Sequence, residues 1–141
     1  MTTYTTINRD YSIEEYSPIW IEKFMTIQKI IQNIFGNKAL QIEHVGSTSI
    51  VNMKSKPIID VLIIVENTNG LTEEIKRMEE SGYVCKKEYL SPNSFFLYKE
   101  TDGRRLENIH VFPVGHVRVA EFIDTRDYLR EHSDEAKKYS D

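Results

Sequence analysis

Apolar residues recur along the chain with two periods, and the switches between them outline the elements. From Ser17 to Gly36, the residues Trp20, Phe24, Ile27, Ile31 and Ile34 are spaced by alternating gaps of four and three. That spacing aligns them on one face of a helix. Ser17 supplies an N-cap oxygen, Pro18 takes a position where a missing N–H loses nothing, and Gly36 is a natural stop. Leu40 to Val45 reads as a short strand, and Pro57 to Val65, rich in Ile and Val, as a central one. Leu71 to Ser81 is an amphipathic helix with Leu71, Ile75 and Met78 inward, ended by Gly82. Tyr83 to Leu90, Phe95 to Glu100 and Leu106 to Pro113 read as three strands, joined by turns at Ser91–Ser94 and Thr101–Arg104. From about Val117 the chain is helical, with Phe122, Tyr128 and Leu129 on its apolar side, and Ser133 caps a last short helix to Tyr139. Helices and strands do not alternate strictly, so the pattern predicts an α+β fold, a mixed sheet flanked by helices.

Composition narrows the class. With 141 residues, 40% apolar and 28% charged, the chain reads as one domain, residues 1–141, able to bury a core without disulfide or metal. The longest apolar run, Val61 to Val65, is far short of the roughly 20 residues of a membrane helix. Met1 to Ser12 lacks the apolar core of a signal peptide, and Cys85 is the only cysteine. A cytoplasmic protein with an inert, half-buried thiol is expected. A net charge of -4 argues against an extended nucleic-acid surface, while leaving room for a local basic pocket. Nothing in the pattern specifies an oligomeric state.

Candidate chemistry gathers around Asp60. A carboxylate inside Ile58–Val65 is costly to bury unless it is paired or metal-bound. Either it sits at the open end of the strand as part of a site, or it bonds a nearby loop. Gly46-Ser47 follows a strand. A glycine there lets backbone approach a phosphate, Ser47 and Thr48 offer hydroxyl and amide hydrogens, and Lys54 and Lys56 add charge. A plain turn is the alternative. No Walker loop or three-glycine fingerprint is present. His44 precedes the turn. Asn108 and His110 share one face of their strand, which either lines a pocket beside Asp60 or faces solvent. His116 falls in a loop and His132 on the surface.

The stretches Ile42-Glu43-His44-Val45-Gly46-Ser47-Thr48-Ser49-Ile50 and Lys56-Pro57-Ile58-Ile59-Asp60-Val61 resemble the signature of the GrpB-like proteins. Glu107–Phe112, Thr125–Arg130 and the opening Tyr16–Phe24 resemble further segments of that family. The resemblance implies a nucleotidyltransferase-superfamily fold. There, a Gly-Ser turn is followed by a strand with two acids, and a later strand adds a third. Two metal ions held by the acids align a nucleoside triphosphate for in-line attack. It implies Asp60 and His110 as catalytic and metal-holding residues, and Gly46, Ser47, Thr48, Lys56, His44 and Asn108 as substrate-binding residues. Leu62 stands where the second acid belongs, Asn108 where the family often has histidine, and Val51 where proline is common. The expected ligand is a nucleotide or other phosphorylated small molecule, with Mg²⁺ or Mn²⁺, or one softer ion such as Zn²⁺ on Asp60 and His110. Two functions follow: metal-dependent nucleotidyl transfer, or binding in the same pocket without turnover.

Overall fold

The computed structural model describes residues 12–87 and 93–132. The elements follow the expected order: α1 (Ile19–Phe35), β1 (Gln41–Val45), β2 (Ile59–Val65), α2 (Thr72–Glu80), β3 (Val84–Lys87), β4 (Phe95–Thr101), β5 (Arg104–Pro113) and α3 (Val117–Glu131). The expected helix at Ser133–Tyr139, the end of the strand toward Leu90 and the start of the turn at Ser91 lie outside the described residues. Local signals act largely as the sequence predicts. Ser17 Oγ accepts a hydrogen bond from Ile19 N at 3.3 Å, but α1 starts one residue later than the sequence suggests, with Pro18 itself at the N-cap position and no side-chain cap. The turn after β4 places Asp102 and Gly103 at φ 51° and 76°. Two successive left-handed residues make the tight connection that antiparallel strands favour.

Among the described residues, five strands form one sheet in the order β1-β2-β5-β4-β3. β2 and β5 run parallel, and the other neighbours are antiparallel. One face carries Ile59, Val61, Ile63 and Val65 of β2 with Leu97, Ile109 and Val111, and packs on Trp20, Ile27 and Ile31 of α1 and Ile75 and Met78 of α2. Ile59 and Ile63 are almost completely buried, as a central strand covered by helices requires. On the opposite face, Val45, Leu62, Ile64 and Phe112 lie beneath Val119, Phe122 and Ile123 of α3. Asp60 is on this second face, at the end of β2 beyond the apolar cluster. Cys85 is half-buried, and burial first, then Glu79, pushes its thiol up to about 11. No helix among the described residues is long and apolar enough to cross a membrane.

Candidate ligand-binding site

Register brings the site together. Asp60 pairs with Val45 of β1 and Asn108 of β5, and Leu62 with His110. Asp60, Asn108 and His110 therefore share a face. Asn108 Nδ2 donates to Asp60 Oδ1 at 3.0 Å, and His110 Nε2 stands 3.7 Å from the same oxygen. The orientation of the Asn108 amide is set from its other side, where Arg105 Nη1 donates to Asn108 Oδ1 at 2.7 Å. The Arg105 guanidinium also lies 4.0 Å from the Tyr98 ring centroid. A cation thus acts on the carboxylate through one amide.

Gly46 closes the other side of Asp60. Its φ is +77° and its ψ -178°, a region open essentially to glycine alone. A Cβ there would fall 2.6 Å from Asp60 Oδ2. The turn that follows is clamped by α3. Arg126 Nη1 donates to Glu43 Oε1 at 2.7 Å and to His44 O at 3.3 Å. Arg130 Nε donates to Ser49 O at 3.1 Å. Leu129 packs with Ile50 and Met53. Burial opposes the charge of Arg126, but Glu43 and Asp127 together hold it above its ordinary range. Burial, with Arg126 beside it, lowers Arg130.

Ser47, Lys54, Lys56, Asp60 and Asn108 line one hollow of about 340 Å³. Three of the expected substrate contacts fall elsewhere. Thr48 is fully buried and its Oγ1 donates to Ile58 O at 3.1 Å. It therefore accepts from His44 Nε2 at 3.0 Å, so the His44 proton sits on Nε2. His44 itself pairs with Val61, on the α1 face of the sheet, and stacks on Phe24 with centroids 4.8 Å apart. It lies behind the sheet from Asp60, not at the margin of the hollow. Burial foremost, with Arg130 and Arg126, pushes its pKa down to about 4, against the pull of Asp60. Gly46 supplies close approach to Asp60 and does not line this hollow. His110 is buried among Phe96, Phe112 and Phe122, and its Nδ1 has no hydrogen bond among the described residues. It backs the site beside Asp60 without lining the hollow.

The donor set does not fit a pair of divalent ions. Leu62, at the second acid position, is wholly buried under α3. Asn108 turns N–H groups toward Asp60, and Glu107 points to the opposite face, where it accepts a hydrogen bond from the Tyr83 hydroxyl. Among the described residues no three of His, Cys, Asp and Glu come together as a metal-holding group. Hard cations need several oxygen ligands.

Arg105, Arg126 and Arg130 escaped the reading of candidate chemistry. Arg126 and Arg130 lie in the segment Thr125–Arg130, which family resemblance marked without a role. Strict alternation in β5 would set Arg105 on the face opposite Asn108. Pairing shifts register so that Lys99 faces Glu107 but Glu100 faces Arg105. That irregularity returns Arg105 to the face of Asn108.

Comparison with known proteins identifies the family and the fold. A family model, GrpB protein, matches residues 10–141. The chain is 33% identical over 134 residues to UPF0157 protein BH1888 of Halalkalibacterium halodurans, covering 94% of this chain and 67% of that protein. It is 32% identical to UPF0157 protein YqkA of Bacillus subtilis but spans only 38% of its length. The crystal structure of conserved protein GrpB from Enterococcus faecalis superposes with a TM-score of 0.86 at 29% identity, over 92% of this chain and 78% of that one. The Cid1 poly(U) polymerase superposes with a TM-score of 0.55 at 6% identity, over 82% of this chain and 39% of that one. The fold is nucleotidyltransferase-like.

Proposed function

Since the chain belongs to the GrpB protein family, we propose that its nucleotidyltransferase-like fold holds a phosphorylated small molecule, of the nucleotide or sugar-phosphate class, in the hollow of Ser47, Lys56, Asp60 and Asn108, without metal-dependent transfer. One observation carries the reading: a hydroxyl, two lysines and a single oriented carboxylate line the same hollow. Ser47 and Lys56, with Lys54 nearby, receive the phosphate. Asp60 is an acceptor and suits a ligand hydroxyl or amine. Asn108 and Arg105 fix its carboxylate before a ligand arrives, which limits the ordering that binding requires. Nucleotidyl transfer asks for more than this pocket offers, because Leu62 takes the place of a second acid in the core under α3.

Calorimetric titration with ribose 5-phosphate and nucleoside mono- and triphosphates, in EDTA and then with Mg²⁺, Mn²⁺ or Zn²⁺, tests this. Binding is expected in EDTA. Asp60→Asn should weaken it about tenfold, the loss of roughly one charge-assisted hydrogen bond, with an unchanged or raised Tm. An affinity that appears only with a divalent ion would favour the transferase reading. An unchanged affinity beside a large fall in Tm would make Asp60 a structural residue and refute the proposal.

A further inference from the structure

A second hollow, also about 340 Å³, opens on the other side of Ser47, between α3 and the turn at Gly46–Ile50. Its chemistry differs from the first. Ile50, Phe122 and Leu129 make an apolar lining, and Ser47, Thr125, Arg118 and Glu121 supply polar groups. Arg126 also borders it, with its Nη1 engaged by Glu43 and His44 O and its Nε by Asp127. Arg118 lines the hollow with a side chain that is 38% exposed. Its Nε is buried without a hydrogen bond among the described residues, the ion-pair oxygen of Glu121 stands at 3.5 Å, and its guanidinium lies 5.7 Å from the Phe122 ring centroid.

We infer that this hollow receives a flat heteroaromatic ring carried by the same ligand whose phosphate occupies the first hollow. The ligand is then a nucleotide rather than a simple sugar phosphate. The inference rests on the reading proposed for the first hollow. Three features select a planar ring. The apolar lining rewards burial of its faces. A guanidinium stacks on a flat π-system and donates in its own plane. The outer nitrogens of the partly exposed Arg118 guanidinium and the hydroxyl of Thr125 can meet acceptors on a ring edge. Ser47 lines both hollows, so one molecule spans them across a single residue.

Binding of ribose 5-phosphate, the four common ribonucleoside monophosphates and their nucleosides is measured on the full chain by calorimetry, with Tm as a control. At least one monophosphate should bind tenfold or more tightly than ribose 5-phosphate. Thr125→Trp, which fills the hollow from an exposed helix position, should reduce that monophosphate to the affinity of ribose 5-phosphate and leave ribose 5-phosphate itself unchanged. Arg118→Met should weaken the monophosphate in the same selective way, and it serves if Thr125→Trp does not fold. No monophosphate binding more tightly than ribose 5-phosphate, or selectivity that survives the variant, overturns the inference while the phosphate site stands. Nucleosides that bind and are displaced by Thr125→Trp, beside ribose 5-phosphate that does not bind, support the ring pocket and refute the phosphate reading instead.

Discussion

Gly46 and Asp60 form a contact that no side chain could enter. The backbone at Gly46 is in a conformation other residues rarely adopt, and a Cβ there would run into Asp60 Oδ2. Gly46→Ala therefore combines backbone strain with displacement of the carboxylate. A destabilisation of about 2–4 kcal/mol is expected, measured by urea unfolding. His44 makes the second prediction at this scale. The unfolded ring protonates near its ordinary 6.5, but the buried ring only at about 4. Its contribution to stability is full above pH 6.5 and is lost as the pH falls from there toward 4. The slope is about 1.4 kcal/mol per pH unit, hence up to roughly 3 kcal/mol in all. His44→Gln keeps a donor for Thr48 and removes the titration. Its unfolding free energy should be less sensitive to pH between 4 and 6.5 than that of the parent protein.

Among the elements, α3 has the most to do with how the site is held. It is weakly amphipathic and fully buries Leu129 alone, so apolar contact is only part of its attachment. The rest is polar. Arg126 reaches β1 through Glu43 and His44 O, and Arg130 reaches the turn through Ser49 O. The Arg126–Glu43 pair is largely buried, with side chains 11% and 28% exposed. Removing one partner leaves the other charge half-buried and uncompensated. Arg126→Met should cost about 2–4 kcal/mol, and hydrogen exchange should speed up in α3 and in the turn at Ser47–Ser49 before it does so in the central strands. The double variant with Glu43→Gln should recover part of the loss. Equal protection of α3 in the parent and in Arg126→Met would mean that the pair does not hold the helix.

At the scale of the molecule, the sheet divides two duties. One face is closed by α1 and α2 over the larger core, and the other is closed by α3 across β1, β2 and the end of β5. The end of β2 is left open, and there Asp60 meets Asn108 and the Gly46 turn. Leu62, one step along on the same face, belongs to the closed part. This explains why replacing it with an acid should not restore a two-metal centre. Leu62→Asp would bury a carboxylate among Val45, Phe112 and Phe122. A loss of more than about 4 kcal/mol is expected, seen as a collapse of Tm that Mg²⁺ or Mn²⁺ does not reverse. A folded variant with saturable Mn²⁺ binding would show that the fold tolerates the acid and would refute this account of Leu62.

The order of helices and strands was legible in the residues because each element carries its own signal. The gaps of four and three in α1, the Ile/Val run of β2 and the Asp102-Gly103 turn are local statements, and local sterics enforce them. Asp60 and Ser47 were legible for a related reason, an acid in an apolar strand and a glycine-serine turn after another. What those residues face was not legible. His44 and Thr48 sit in the same motif as Ser47, yet they point into the core to satisfy each other, because β1 pairs with β2 in a register that turns His44 toward α1. Arg105 joins Asn108 only through the register shift between β4 and β5. The hollow beneath α3 exists because a helix from the far end of the chain lies over the turn at Ser47. Periodicity assigns a residue to a face of its own element. Which neighbour covers that face depends on pairing between segments distant in sequence, and here that pairing decided which polar side chains serve the core and which line the hollow.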